Sequence, residues 1–200
     1  MNYVRTLKRI REKKTNYHKR ASILLSKKSF VTIKISNQNT STQIIRPIIN
    51  GDDVLISTHS KNLANFGWKG SLSSMPACYL TGYLLGKKAM NNGINDAILY
   101  TGNNKFTTKI ASCLKGILDS GLQIPTSKDA LPPMERITGQ HISNYGMLLK
   151  EKPEGHGRQF SRIIKNGLNP EDYVKHFNET KELIDKELSN KFDSKGSNNQ

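Results

Sequence analysis

Ser29 to Thr58 reads SFVTIKISNQNTSTQIIRPIINGDDVLIST. Three β-rich runs, Ser29 to Ser36, Thr40 to Ile49 and Val54 to Thr58, are separated by Asn37-Gln38-Asn39 and by Asn50-Gly51-Asp52-Asp53. β-Branched residues suit a pleated, half-buried surface, and short polar connections join antiparallel neighbours, so this stretch predicts a three-stranded meander. Pro47 cannot donate to a ladder and is expected near an edge or strand end. Asn50 to Asp53 is expected as a solvated hairpin turn, a reading that competes with a catalytic carboxylate pair.

Downstream, Ala77, Leu80, Thr81, Leu84, Leu85 and Ala89 repeat on one helical face, with Pro76 in the first turn and Asn91-Asn92-Gly93 as the stop. Ala97 to Tyr100 is short and apolar, as buried strands are. Ile110, Ala111, Leu114, Ile117 and Leu118 mark another helix, closed by Gly121. The order βββαβα describes an α/β fold class: a mixed β-sheet, the antiparallel meander plus at least one further strand, packed with helices. Pro132-Pro133 opens a third helical pattern through Ile137, Ile142, Tyr145 and Leu148. Lys152 to Gly157 reads as a linker, and Phe160, Ile163 and Ile164 form a short apolar patch. Asn169-Pro170-Glu171-Asp172 is a helix start, with acids facing the positive end of the dipole, and that helix is expected to reach about Lys191. Its residues Tyr173, Phe177, Ile184 and Leu188 suit either a neighbouring protein or the chain's own core. From Asp193 the sequence is polar and expected to be disordered.

Upstream lies the charge. The formal net charge is +15 over 200 residues, and residues 1 to 28 hold ten Lys/Arg against the single acid Glu12. Such a balance favours polyanionic partners, whereas a solvated helix carries both signs in balance. Tyr3, Leu7 and Ile10 form a narrow stripe, and Tyr17, Ala21, Leu24 and Leu25 suggest a second short helix after Thr15-Asn16. A membrane-surface helix needs bulkier apolar anchors than these. Tyrosines among lysines and arginines suit RNA, where rings stack on bases and cations meet phosphates.

No apolar run approaches the roughly 18 residues of a membrane span, and the N-terminus lacks the apolar stretch of a secretory signal, so a cytoplasmic protein is expected. Cys78 and Cys113 sit in apolar helical patterns and read as small buried hydrophobes. The five histidines show no metal-ligand spacing. Gly82 to Lys88 resembles a phosphate loop only superficially: it has one residue too few between glycines and no Ser/Thr after Lys87. Gly82 and Gly86 read instead as points of close packing. The chain therefore implies no cofactor, metal or small-molecule substrate.

Asn65 to Pro76, NFGWKGSLSSMP, is more informative. Its Gly/Ser loop feeds a helix N-terminus, where backbone N–H groups and hydroxyls can bind phosphate oxygens. Trp68 between Gly67 and Gly70 could stack on a base, or fold back as a lid on the core. His59, Ser60 and Lys61 add donors on the same rim.

Lys14 to Tyr17 (KTNY), His59-Ser60, Gly67 to Gly70 (GWKG), Ala77 to Gly82 (ACYLTG), Leu114 to Pro125 (LKGILDSGLQIP) and Glu135 to Tyr145 (ERITGQHISNY), in this order and spacing, resemble the ribosomal protein L-eighteen family in its archaeal and eukaryotic form. Gln159 to Pro170 and the following helix resemble an extension of the eukaryotic branch. The resemblance implies a non-enzymatic constituent of the large ribosomal subunit that binds 5S ribosomal RNA at the central protuberance. It also implies contact with 23S-type RNA and a place beside ribosomal protein L-five. Carried over by position, the RNA-contacting residues would be Tyr3, Arg5, Lys8, Arg9, Arg11, Lys13, Lys14, Tyr17 and Arg20 of the arm, with His59, Ser60, Trp68, Lys69 and Gly70. The organisation expected is an RNA-binding arm over 1–28, an α/β core over 29–127, a helical C-terminal extension over 128–192 and a disordered tail over 193–200. Two departures stand out: Tyr100 to Thr108 is shorter than the family pattern, which leaves Asn103, Asn104 and Lys105 outside the transfer, and Thr126 stands where the family often has histidine. The rival class is a metal-dependent RNA-processing enzyme with a basic substrate-binding arm. It would need acids at strand ends to hold Mg²⁺, and the expected strands end in Ser36, Ile49, Thr58 and Tyr100.

Overall fold

In a computed structural model, residues 5–12, 14–49, 51–102, 104–150 and 159–196 are described. The meander forms as its alternation requires. Strands β1 (Phe30–Ile35), β2 (Thr40–Ile48) and β3 (Gly51–His59) pair antiparallel, and β4 (Ile98–Leu99) adds parallel to β1, giving the order β3-β2-β1-β4. Pro47 lies past the β1–β2 ladder, which ends at Phe30↔Ile45, so its missing N–H costs that ladder nothing. One expectation fails here. Gly51, Asp52 and Asp53 are not turn residues but the start of β3, paired with Ile48, Pro47 and Arg46. A two-residue connection suffices, so the polar run continues as strand. The strand expected at Ala97 to Tyr100 is also shorter and less enclosed: Ile98 and Leu99 are half-buried at the sheet edge.

Helices α1 (Lys8–Arg11) and α2 (Tyr17–Ser26) make up the arm. Helix α3 (Met75–Asn91) begins at the Ser74 cap, whose hydroxyl accepts the Ala77 N–H, with Pro76 in the first turn. Helix α4 (Thr108–Asp119) is capped by Thr107 in the same way. Both cover one face of the sheet, burying Val31, Ile33, Ile44, Ile56, Leu85, Leu114 and Ile117 between them. Cys78 and Cys113 are free thiols in this core, and burial pushes both further from ionisation. The core's hydroxyls are bonded as burial demands: Thr42 to Thr58, Thr58 to the Thr81 carbonyl, and Thr40 to the Cys78 sulfur.

The third helical pattern splits at Gly139 into α5 (Met134–Thr138) and α6 (Gln140–Lys150). Gly139 has φ +83°, and a Cβ there would lie 2.7 Å from the Tyr173 ring. A bend and a close approach thus fall on one residue. The expected linker lies in 151–158, outside the described residues. After α7 (Ser161–Lys165), Asn169 leads a short 3-10 turn, Pro170–Asp172, into α8 (Tyr173–Gly196). Helical structure therefore continues past Asp193, where the polar composition predicts a disordered tail. The inner face of α8 packs on the chain's own core. Tyr173, Phe177, Ile184 and Leu188 join Tyr79, Leu80, Tyr83, Leu84, Trp68 and Ile137 in a second apolar cluster on the far side of α3. Tyr79 and Tyr83 donate to Asp119 (2.8 Å) and Asp185 (2.7 Å), the second bond bridging α3 to α8.

Candidate nucleic-acid interface

The α3–α4 layer leaves the other sheet face open, and the arm lies across part of it. Alternation sends Phe30, Thr32 and Lys34 of β1 to this face, opposite Ile45, Gln43 and Ser41 of β2. Tyr100 packs edge-on against Phe30 at 5.4 Å between centroids. A groove forms between arm and sheet, bordered by Arg9, Lys14, Thr32, Lys34, Gln43 and Tyr100.

Within the arm, Glu12 pairs with Lys14 at 2.7 Å and approaches Lys8 at 3.9 Å, and the Arg9 guanidinium donates to Thr15 Oγ1 at 2.9 Å. Asn16 caps α2 by accepting the Lys19 N–H. Arg20 donates to both oxygens of Asp52, at 2.9 and 2.7 Å, and Lys28 pairs with Asp96 at 2.9 Å. The Asp52 bond, reinforced by its charge, moves Arg20 still further from deprotonation, against the effect of burial. Arg5, Lys8, Arg9, Arg11 and Lys14 are exposed, and Tyr17 is 37% exposed. Tyr3 and Lys13 lie outside the described residues.

Arg20 thus differs from the other arm cations expected at RNA: Lys14 pairs with Glu12 within the arm, whereas the half-buried Arg20 guanidinium is held in two-pronged fashion by a carboxylate of the sheet. The loop from Gly67 to Ser74 also differs from expectation. Trp68 is 5% exposed, stacks on His176 at 5.1 Å and meets Tyr173 edge-on at 5.6 Å. Of its two readings, the lid on the core is the one realised, because α8 supplies an aromatic floor. Gly70 is buried beneath that indole, and a Cβ there would stand 2.6 Å from the ring. Ser60 is fully buried, its hydroxyl accepting the Thr40 N–H at 3.0 Å. His59 Nδ1 accepts the Lys61 N–H, capping a 3-10 turn over Ser60–Phe66. Ser60, Trp68 and Gly70 are therefore enclosed by the chain itself, and Lys69 is the exposed cation of that loop. Its backbone N–H donates to His176 Nε2 at 3.0 Å, and its carbonyl accepts from Asn166 at 2.9 Å. Desolvation, with Lys69 adding to it against Glu179, lowers the His176 pKa.

Sequence reading missed Lys34, Thr32 and Gln43. The available signal was the strand alternation itself, which puts polar residues of two neighbouring strands on one face. Asn104 and Lys105 are exposed beside Tyr17 and Lys19, next to the same groove; Asn103 is outside the described residues. Among the described residues, no group of three or more His, Cys, Asp or Glu side chains could hold a metal ion, and no helix is long and apolar enough to cross a membrane.

Fold and charge define a class: an α/β body carrying a cationic arm suited to a polyanion. The family described as "Ribosomal large subunit proteins 60S L5, and 50S L18" matches residues 1–111. The chain is 38% identical to large ribosomal subunit protein uL18 of Thermofilum pendens over 91% of its own length and 94% of the relative's. For uL18 of Methanothermobacter thermautotrophicus the figures are 39%, 93% and 97%, and for that of Methanosphaera stadtmanae 42%, 89% and 92%. The chain belongs to this family of ribosomal proteins, which are not enzymes, and the RNA-processing alternative has no support from it. These archaeal relatives align across nearly the whole chain, so the C-terminal extension is not peculiar to a eukaryotic branch.

Proposed function

We propose that the chain is a structural constituent of the large ribosomal subunit, working in the cytoplasm, that binds 5S ribosomal RNA and helps attach it at the central protuberance. Residues 1–28 act as the RNA-binding arm and the α/β body as its rigid mount. The observation that carries this reading is the unmatched charge of the arm. Among the described residues, its cations Arg5, Lys8, Arg9, Arg11, Lys14, Lys19, Arg20, Lys27 and Lys28 form ion pairs only with the carboxylates of Glu12, Asp52 and Asp96. Phosphates complete that balance, and release of their counterions drives binding. Within the RNA-contacting set, Arg5, Lys8, Arg9, Arg11, Lys13, Lys14 and Lys69 act on phosphates, while Tyr3 and Tyr17 stack on exposed bases. Contact with 23S-type RNA and a place beside ribosomal protein L-five follow from the same position.

A salt titration tests this. If the arm meets about six phosphates, log affinity for 5S RNA falls with log salt at a slope of roughly −4 to −5. Replacing Arg5, Lys8, Arg9 and Arg11 together by Gln should flatten the slope by about 3. An unchanged slope, or equal affinity of the native chain for an unrelated RNA of the same length, refutes the proposal.

A further inference from the structure

Helix α2 buries no residue fully, and with only Ile23 and Leu24 of its apolar side chains half-buried the hydrophobic effect fixes its place on the body weakly. The cations around it repel one another and favour a detached, mobile arm. Something else must hold it, and two ion pairs are available. Lys28–Asp96 joins side chains that are 57% and 58% exposed, a setting in which solvent screens most of the attraction. Arg20–Asp52 is two-pronged, and its side chains are only 25% and 33% exposed. Bidentate geometry fixes direction as well as distance. Asp52 is itself held firmly, in register with Pro47 in the β2–β3 hairpin.

We propose that Arg20 and Asp52 are a positioning pair that locks the cationic arm across the open sheet face, bringing Arg9 and Lys14 of the arm opposite Lys34 of the sheet before any RNA arrives. The proposal rests on the RNA-binding reading above. It assigns Arg20 to its carboxylate rather than to a phosphate, and it makes an acid part of a polyanion-binding device. The groove so formed takes the sugar–phosphate backbone of an RNA strand, with Thr32 and Gln43 offering hydrogen bonds between the cations. Pre-ordering lowers the ordering cost of binding, so losing the pair should weaken affinity without removing a phosphate contact.

The sign of the effect makes the test sharp. Asp52→Asn and Asp53→Asn each raise the net charge by one, and charge alone predicts that both tighten RNA binding. Positioning predicts that Asp52→Asn weakens 5S RNA binding by about three- to tenfold, the scale of a partly exposed bidentate pair, at unchanged salt slope. Asp53→Asn should leave affinity equal or tighter. In the full-length protein without RNA, Asp52→Asn should speed amide exchange across Tyr17–Ser26, and the exchanged pair Arg20→Asp with Asp52→Arg should restore protection. Tighter binding by Asp52→Asn, a steeper salt slope that shows Arg20 freed onto phosphate, or unchanged exchange in α2 overturns the proposal. If the native chain shows no preference for 5S RNA, the functional reading falls, and the exchange experiment still decides the pair.

Discussion

Gly82→Ala probes the joint that makes the body a mount. Helices α3 and α4 approach so closely that a Cβ at Gly82 would lie 2.1 Å from the Cys113 carbonyl oxygen, and one at Gly116 would lie 2.2 Å from that of Tyr79. Ordinary contact begins near 3.4 Å, so the alanine methyl requires the backbones to part by about 1.3 Å at Gly82. Two effects oppose each other. Alanine is favoured over glycine in a helix interior by about 1 kcal/mol, while overpacking a rigid core costs about 1–3 kcal/mol and occasionally more. The obstacle here is backbone on an adjoining helix, which cannot rotate away, and parting the helices also loosens Leu85, Leu114 and Ile117. A net loss of about 2 kcal/mol is expected, an overpacking cost of about 3 kcal/mol at the top of that range less the alanine gain of about 1 kcal/mol. Gly86→Ala should cost less: the Ser120 hydroxyl can turn from its bond to the Ile117 carbonyl, and the closest remaining obstacle is then the Ser120 Cβ at 2.8 Å, against 2.1 Å to backbone at Gly82. Gly51→Ala has nothing within 4 Å and serves as the control, within about 0.5 kcal/mol of the native chain. Urea unfolding followed by Trp68 fluorescence ranks the three. If Gly82→Ala is as stable as the native chain, or more stable, the reasoning from a rigid backbone contact between α3 and α4 is refuted.

Trp68→Ala should destabilise folding by about 3–5 kcal/mol, the cost of emptying a buried aromatic site. Its 5S RNA affinity, measured where both proteins are fully folded, should stay within about twofold; a loss of 1–3 kcal/mol in binding would mean that the indole stacks on a base after all. His176 and His141 both have lowered pKa values, chiefly through desolvation, with Lys69 and Arg136 respectively adding to the effect. The folded chain therefore resists protonation at these sites. Their stabilising contribution is complete above the ordinary histidine value of about 6.5 and is lost as pH falls through the folded values. The urea midpoint should drop between about pH 7 and 5, before most carboxylates titrate. His176→Gln, which keeps an acceptor for the Lys69 N–H, should flatten part of that drop; a flat profile in the native chain refutes it.

Much of this was legible in the residues. The meander follows from β-branched alternation punctuated by Asn-rich connections, α3 and α4 follow from their 3.6-residue stripes and caps, and Gly82 and Gly86 are close-packing points as their spacing suggests. The break between α5 and α6 was legible in principle: from Ile137 to Ile142 the apolar step is five residues, a slip that a continuous helix does not make. The run Asn50 to Asp53 misleads because turn and strand share a polar composition at a hairpin end. There the ladder, not the residue type, decides.

Sequence by itself determined the class of fold, the siting of the charge and the family. Periodicity, caps and net charge are local or additive quantities, readable without knowing what touches what. Only the tertiary structure decided the fates of Trp68, Ser60 and Arg20. Trp68 is a lid because His176 and Tyr173 arrive from a helix about a hundred residues away, and Ser60 is consumed by the Thr40 backbone. Arg20 is neutralised by an acid 32 residues distant that the sequence shows only as part of a polar turn. Whether a donor or an aromatic face remains available to a ligand depends on which neighbour reaches it first, and chain folding brings those neighbours from positions that no local pattern connects.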